Sequence, residues 1–167
     1  MSSIFVAVLQ SFGELEPSGT DIAVNIGSGA VSTALTTLLV GAILVALAPD
    51  YTEQKIAEVR ENVVGSFFYG LISLVFFILV IVVLAITIIG LPLALLFGLL
   101  VFVAWVFGAA IAFLSIADSL VGHDDGWVVP LVLAAGINGG LTLTGIGGLV
   151  SFCIGAIGFG VVLRDYF

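Results

Sequence analysis

The chain has 167 residues, of which 62% are hydrophobic and 8% are charged, and its mean hydropathy is +1.40. Because soluble domains carry about a quarter charged residues, this composition indicates a membrane protein. Three Lys and Arg residues exclude a nucleic-acid partner, since phosphate contacts need cations. One Cys and one His exclude a disulfide framework and a metal site built from several thiolates or imidazoles.

The formal net charge is -8, and the acidic residues lie outside the apolar stretches or at their margins. Dense surface carboxylates keep a protein hydrated where concentrated salt screens charge over very short distances. This balance favours a high-salt organism as the source. The alternative is that the short loops of this membrane protein are simply acidic.

The N-terminal region contains one short apolar run, from Ile4 to Leu9, followed by a polar stretch with Glu14, Glu16 and Pro17. A secretory signal needs a basic region and a longer apolar core. We therefore expect an interfacial segment over residues 1–12 and a linker containing Gly and Ser over residues 13–29.

The first predicted span covers residues 30–48, all 19 of which are uncharged. This length is close to the roughly 20 residues that cross a hydrocarbon core of about 30 Å. Pro49 is expected to end the span.

A short amphipathic helix is predicted next, over residues 51–62. Asp50 followed by Glu53 indicates a capping box that starts this helix. Its apolar face includes Ile56 and Val59, and the charged residues, Lys55 among them, occupy the rest of the circumference. The helix is expected to lie at the membrane surface.

Residues 63–89 and 91–117 form two uncharged stretches, each longer as a helix than the bilayer core is thick. Between them, Gly90 and Pro92 interrupt the helix without any polar loop. Two geometries remain, a tight hairpin inside the headgroups or a kink in helices that turn back early. The hairpin is favoured because one continuous helix would leave apolar residues in water.

An aqueous loop over residues 118–127 precedes a last uncharged stretch, and Trp127 is placed to anchor at the headgroups. The stretch is too long for one span and is rich in Gly near residues 144–148. We predict spans over residues 128–143 and 147–163, then a tail over residues 164–167. The expected fold is an all-α integral membrane protein, a compact bundle of about five transmembrane helices, with four as the alternative number.

The three basic residues predict the orientation in the membrane. Basic residues bias the loops that carry them toward the cytoplasm. Lys55 and Arg60 share one loop, and with five crossings Arg164 falls on the same side. We therefore expect a plasma-membrane protein with its N-terminus outside and its C-terminus in the cytoplasm.

The predicted spans offer few reactive side chains. Asp118 stands at a span end, and His123 lies in a loop beside the two aspartates that follow it. A catalytic pair or a metal site needs reactive groups that face each other, so no catalytic residue, metal or cofactor is expected. Asp118 is either paired with Lys55 or Arg60 or, as is favoured, a solvated carboxylate at a helix end.

Small residues recur every four positions in three lines. Such lines let helix backbones approach closely, which drives helix association in lipid. They predict tight packing within a compact bundle or at an oligomer interface. The members are Ala104, Gly108 and Ala112, then Gly136, Gly140, Thr144 and Gly148, and finally Gly147, Ser151 and Gly155.

Asn138 is an amide well inside an apolar stretch, with glycines on both sides. Unwound backbone beside a polar side chain coordinates ions in some transporters, so Asn138, Thr142 and Thr144 form a candidate polar path. The alternative is a hydrogen bond from Asn138 to a neighbouring helix that stabilises packing.

Several short motifs are spread over the predicted spans. They are Ala48-Pro49, Val63-Val64-Gly65, Ile89-Gly90-Leu91-Pro92-Leu93 and the Gly-rich final pair of spans. Together they resemble a multi-pass membrane domain of uncharacterised haloarchaeal proteins, and similar domains stand attached to, or beside, bactofilin-type polymer-forming cytoskeletal modules. The resemblance covers residues 30–163 and implies a protein that anchors or organises a partner at the cell membrane, without the β-solenoid repeats of a bactofilin.

From these observations we expect a non-enzymatic membrane scaffold or anchor. Its partners would be the lipid bilayer, further copies of itself in a homo-oligomer, and other membrane or cytoskeletal proteins. The alternative is a small transporter or channel subunit with a polar path near Asn138. A hydrated path would favour the conductor, whereas dry packing of the same groups would favour the scaffold.

Overall fold

The computed structural model describes residues 19–87 and 90–164, and within these ranges the chain forms six α-helices and no strand. The all-helical prediction is confirmed for this part of the chain. The predicted interfacial segment over residues 1–12 lies outside the described residues. The helices are α1 Gly19–Leu47, α2 Pro49–Glu61, α3 Val63–Ile86, α4 Gly90–Val121, α5 Val128–Thr142 and α6 Gly147–Leu163.

Three helices are long and apolar enough to cross a membrane, namely Gly27–Leu47 within α1, α3 and α4. The helices α5 and α6 are apolar but have 15 and 17 residues. At 1.5 Å per residue they are about 23 and 26 Å long. The structure thus contains three helices of spanning length and two shorter apolar ones where five spans were predicted.

The helix α1 begins earlier than predicted. It starts at Gly19, so the described part of the predicted linker is helical. The apolar segment of spanning length starts only at Gly27, which means that the polar first turns extend the same helix beyond it.

The predicted capping box at the start of α2 is wrong. Ala48 is the N-cap residue, no side chain caps the helix, and Pro49 and Asp50 lie in the first turn. Proline suits this position because the first N–H groups of a helix have no hydrogen-bond partner within the helix, and proline has no N–H group to leave unpaired.

The helices α3 and α4 pack side by side, as the predicted hairpin requires. At the turn, the Gly90 N–H donates to Thr87 Oγ1 at 3.0 Å, and the Leu91 N–H donates to the Thr87 carbonyl at 3.1 Å. Further from the turn, the Phe77 and Phe97 rings meet edge to face with centroids 5.6 Å apart. A helix that continued straight would separate these two rings.

The helix α6 lies in the interior, against both α3 and α4, and most of its C-terminal half is buried. Glycines bring the backbones into direct contact. A Cβ added at Gly158 would collide with the Gly108 carbonyl of α4, and one added at Gly160 would collide with the Ser66 carbonyl of α3. Because the colliding atoms are backbone, neither helix can make room without moving as a whole.

Part of the predicted small-residue packing therefore forms. The line Ala104, Gly108 and Ala112 faces α6, where the Ala112 Cβ lies 3.0 Å from a Cβ added at Gly158. On the opposite helix, Gly155 lies against the Trp105 indole.

The second line does not pack against any other part of residues 19–87 and 90–164. A Cβ added at Gly136, Gly140 or Gly148 meets nothing within 4 Å, and Thr144 is exposed. The helix α5 instead contacts α1 through a glycine one position away, Gly139, whose added Cβ would lie 2.9 Å from the Ala34 Cβ and 3.0 Å from the Ala30 carbonyl oxygen. That these outward-facing residues of α5 form an interface between copies of the chain stays a prediction.

The helix α4 lies between two pairs of helices. One pair is α1 and α5, and the other is α3 and α6. The main hydrophobic core forms where α2, α4 and α6 meet, and its fully buried side chains include Ile111, Phe113 and Val161. This arrangement places α2 across one end of the bundle.

Candidate functional site

Two cations hold α2 at that end of the bundle, and the first is Lys55. Its side chain has no exposed surface, and its Nζ donates to the Val161 carbonyl in the last turn of α6 at 3.2 Å and to Glu58 Oε2 at 2.7 Å. Carbonyls in the last turn of a helix lack partners within the helix and carry partial negative charge, which a cation stabilises. Lys55 therefore pins α2 to the C-terminal end of α6.

The second cation, Arg60, joins α2 to the C-terminal end of α4. Its Nη2 donates to Asp118 Oδ2 at 2.6 Å and to the Ser115 carbonyl at 3.3 Å. The Asp118 side chain is 4% exposed, and its Oδ1 lies 2.6 Å from His123 Nδ1. The His123 ring stacks on Trp127 with the centroids 4.3 Å apart. One buried carboxylate thus joins α2, α4 and the loop that follows α4 through short hydrogen bonds.

We call these contacts of Lys55, Arg60, Asp118 and His123 the α2 clamp. The prediction that Asp118 is solvated is wrong, and the alternative pairing with Arg60 forms across 58 positions. The placement of Lys55 on the polar face of α2 is also wrong, since this side chain is fully buried. The missed signal was the spacing of Thr52, Lys55, Ile56 and Val59, which are the buried residues of α2.

His123 turns toward Asp118 and α2 rather than toward the two aspartates that follow it. Both of those aspartates are exposed. Within residues 19–87 and 90–164, no group of three His, Cys, Asp or Glu side chains is arranged to hold a metal ion.

The contact between Asp118 and His123 has the geometry of a carboxylate that orients an imidazole. Nucleophilic catalysis also needs a hydroxyl or thiol at the other ring nitrogen. Among the described hydroxyls nearby in sequence, Ser115 donates to the Ile56 carbonyl and Ser119 to the Ile116 carbonyl, and neither bonds to the imidazole.

The outer surface at this end is acidic. Asp50, Glu53 and Glu61 are exposed on α2, and Asp124 and Asp125 are exposed in the loop after α4. An open cavity of about 600 Å³ lies beside α2 and is lined by Gln54, Ala57, Glu58, Glu61, Asn62 and Arg164. The α2 carboxylates thus lie on a helix that the clamp joins to the ends of α4 and α6.

Asn138 is buried within the bundle and links three helices. Its Nδ2 donates to Thr37 Oγ1 of α1 at 2.7 Å, and its Oδ1 accepts from Ser151 Oγ of α6 at 3.2 Å. The Thr142 and Thr144 hydroxyls donate to backbone carbonyls of their own segment. The interhelical hydrogen bond that was the alternative to a polar path is therefore present.

An open cleft of about 270 Å³ adjoins Asn138 between α1, α4 and α5. Of the three predicted path residues, Asn138 lines this cleft, whereas Thr142 and Thr144 do not. Hydroxyls on the α1 wall donate to carbonyls four residues earlier, which leaves the oxygens of Thr33 and Thr36 available as acceptors, whereas Thr37 Oγ1 accepts from Asn138. The lining residues are Ser32, Thr33, Thr36, Thr37, Phe102, Trp105, Val106, Ala109, Ala110 and Asn138.

The sequence matches, over residues 3–167, a family model described as Domain of unknown function (DUF8173). No curated protein and no solved structure matches the chain.

Proposed function

Because the chain belongs to this family of domains of unknown function, its role has to follow from its geometry, and we propose that it is a non-enzymatic multi-pass membrane protein that anchors or scaffolds partner proteins. The α2 clamp is the observation that carries this proposal. It fixes the amphipathic helix to the ends of α4 and α6, so the exposed carboxylates of α2 form a defined surface instead of a mobile linker. A rigid surface binds a partner at a lower entropic cost than a flexible one.

The arrangement of polar groups inside the bundle supports a scaffold over a catalyst. The amide of Asn138 forms hydrogen bonds with Thr37 and Ser151. The Asp118 carboxylate forms hydrogen bonds with His123 and with Arg60 of α2. Groups that are used in this way stabilise a single packed arrangement. The expected relationship to domains beside bactofilin-type modules would supply a cytoskeletal partner for the acidic surface.

We further propose five crossings, with the α2 end in the cytoplasm and the N-terminus outside. Lys55 and Arg60 lie at this end, and Arg164 lines the cavity beside α2, so all three basic residues are on one side. That distribution agrees with the bias of basic residues toward the cytoplasm. Helices as short as α5 and α6 cross a bilayer that thins locally around them.

Single cysteines introduced into a Cys153→Ala background test this topology. Glu53→Cys and Asp124→Cys should react with an impermeant maleimide from one side of sealed vesicles, and Gly145→Cys should react from the other. Labelling of all three cysteines from the same side would overturn the five-crossing arrangement.

Photo-crosslinking in native membranes tests the anchoring role. A photoreactive residue at the exposed Glu53 of α2 should form discrete protein adducts that charge reversal by Glu61→Lys weakens. The matched control is the same residue at Leu79, an exposed apolar position of α3, which should react with lipid. Absence of protein adducts at Glu53 would refute docking at this surface, and a monomer measured by light scattering in mild detergent and in nanodiscs would refute self-association.

The cleft beside Asn138 favours a second candidate, a small transporter or channel subunit. Its wall of hydroxyl oxygens lies within the first helix of spanning length. Ion or solute flux in proteoliposomes that falls in an Asn138→Leu variant would support this alternative. Flux no greater than in empty liposomes for the native chain would exclude it.

A further inference from the structure

We propose that Arg60 is the headgroup site for an acidic phospholipid whose chain lies in a cleft between α2, α4 and α6. This inference depends on the membrane placement proposed above but not on partner docking. It starts from the three cations of the chain, because a side-chain site for a phosphate group needs one of them.

Only Arg60 among the three cations is exposed and lines a mostly apolar cleft. Lys55 is fully buried against Glu58 and the end of α6. Arg164 is exposed, but the cavity that it lines also contains Glu58 and Glu61, whose carboxylates repel a phosphate. The Arg60 side chain is 45% exposed.

The guanidinium of Arg60 keeps free donors. It has five N–H groups, and its hydrogen bonds to Asp118 and Ser115 both start from Nη2. The donors on Nε and Nη1 make no hydrogen bond within the described part of the chain. Asp118 holds the group in place, and each of the free donors on Nε and Nη1 can give a single hydrogen bond to a phosphate oxygen.

Arg60 also lines an open, mostly apolar cleft of about 200 Å³. The other lining residues are Val59, Val63, Ala112, Ser115, Ile116, Ser119, Ile154 and Ile157. From Ser119 to Ala112 the cleft follows two turns of α4, about 10 Å at 1.5 Å per residue. The cleft therefore combines one cation with an apolar slot along α4.

The depth of the cleft in the proposed membrane is that of a lipid headgroup. Val63 is the first residue of the second helix of spanning length, and Ser119 lies close to the end of the third. A basic residue between transmembrane helices at this level is a recognised kind of site for anionic headgroups. Two other ligands fit less well than a lipid. A soluble anion would contact Arg60 but not the apolar slot, and an apolar protein segment would fill the slot without binding the guanidinium.

Binding titrations on delipidated protein in a neutral detergent test this assignment, with phosphatidylglycerol and phosphatidylcholine of identical chains followed by native mass spectrometry. The slot gives a lipid chain no hydrophobic advantage over the bilayer or micelle, so the preference should come from the headgroup. One basic residue near an anionic headgroup corresponds to about fivefold tighter binding, and the pairing of Arg60 with Asp118 lowers this value, so a preference for phosphatidylglycerol of up to about fivefold is expected. Equal affinity for the two lipids would overturn the proposal.

Four variants locate the site. Arg60→Gln should abolish the preference, while Arg164→Gln, the matched loss of an exposed cation elsewhere, should leave it unchanged. Because Arg60→Gln also loosens α2, Ile157→Trp is used to fill the slot with the clamp intact and should lower phosphatidylglycerol affinity. Leu100→Trp, in an apolar groove of α3, α4 and α6 whose lining holds no cation, should not. The assignment would be overturned if the preference for phosphatidylglycerol survived Arg60→Gln and Ile157→Trp, or if Arg164→Gln removed it. Soluble glycerol phosphate that binds as tightly as phosphatidylglycerol would overturn it as well.

Discussion

The contact between α4 and α6 gives a sharp test of the fold through Gly158→Ala. The added methyl group would collide with the Gly108 carbonyl oxygen and lie 3.0 Å from the Ala112 Cβ. Both obstacles belong to a buried stretch of α4, so relief requires the two helices to separate. The change adds a single carbon, yet it acts on the whole interface between two helices.

The expected magnitude follows from two opposing effects. Overpacking of a close contact typically destabilises a protein by about 1–3 kcal/mol. Replacing glycine by alanine inside a helix contributes about 0.8–1 kcal/mol in the other direction. The net loss is therefore about 0–2 kcal/mol, or up to about 8 °C in Tm for a chain of this size, and relative to an alanine that meets no obstacle it is the full range of about 1–3 kcal/mol, or about 2–12 °C.

Thermal unfolding in one detergent, followed by circular dichroism, measures this loss. Gly136→Ala is the matched control, because it gains the same helix propensity at an outward position where an added Cβ meets nothing within 4 Å. The control should be neutral or slightly more stable than the native chain. Equal Tm values for the two variants would show that α4 and α6 are not in backbone contact at Gly158.

Three further substitutions test the clamp, the buried amide and the outward glycine line. Lys55→Met should lower the free energy of unfolding by about 1–3 kcal/mol in a denaturant titration, because it leaves the Val161 carbonyl without its cation and Glu58 without its partner; an unchanged midpoint would contradict the clamp. Asn138→Leu removes two interhelical hydrogen bonds worth about 0.6 kcal/mol each, so a Tm lowered by a few degrees is expected, and no change would mean that these bonds do not stabilise the bundle. Gly140→Leu should leave the monomer as stable as the native chain or up to about 1 kcal/mol more stable, and should alter oligomer size on a calibrated gel-filtration column; no change in size would count against an interface there.

The helix boundaries were predictable wherever composition changes abruptly. The start of α3 at Val63 and both ends of α6 agree with the predicted spans because charged or Gly-rich segments mark them. The start of α1 was missed because polar residues before Gly27 were interpreted as a linker, although they continue the same helix.

The contacts of the α2 clamp could not be predicted from local sequence patterns. Nothing near Asp118 in sequence identifies Arg60 as its partner, since the tertiary fold alone brings them within hydrogen-bond distance. The glycines of α6 did carry a usable signal. Gly155, Gly158 and Gly160 lie within six positions of one helix, where each costs about 1 kcal/mol relative to alanine. Such density indicates close approach of neighbouring backbones, here α4 on one side and α3 on the other.

The scarcity of cations connects the clamp to the proposed role of the surface. Two of the three basic residues are bound to the ends of α6 and α4, so they do not neutralise the exposed carboxylates of α2 and the loop. Repulsion among those carboxylates acts over many ångströms and falls as salt is added, whereas the short, partly buried contacts of Lys55 and Arg60 are screened much less. Added salt therefore weakens the repulsion that opposes the packing of α2 on the bundle, and it leaves the hydrogen-bonded contacts of Lys55 and Arg60 in place. At high ionic strength the acidic surface of α2 therefore stays in place. A partner held to it by long-range charge alone would dissociate under the same conditions. A partner that stays bound there has to make short-range contacts as well.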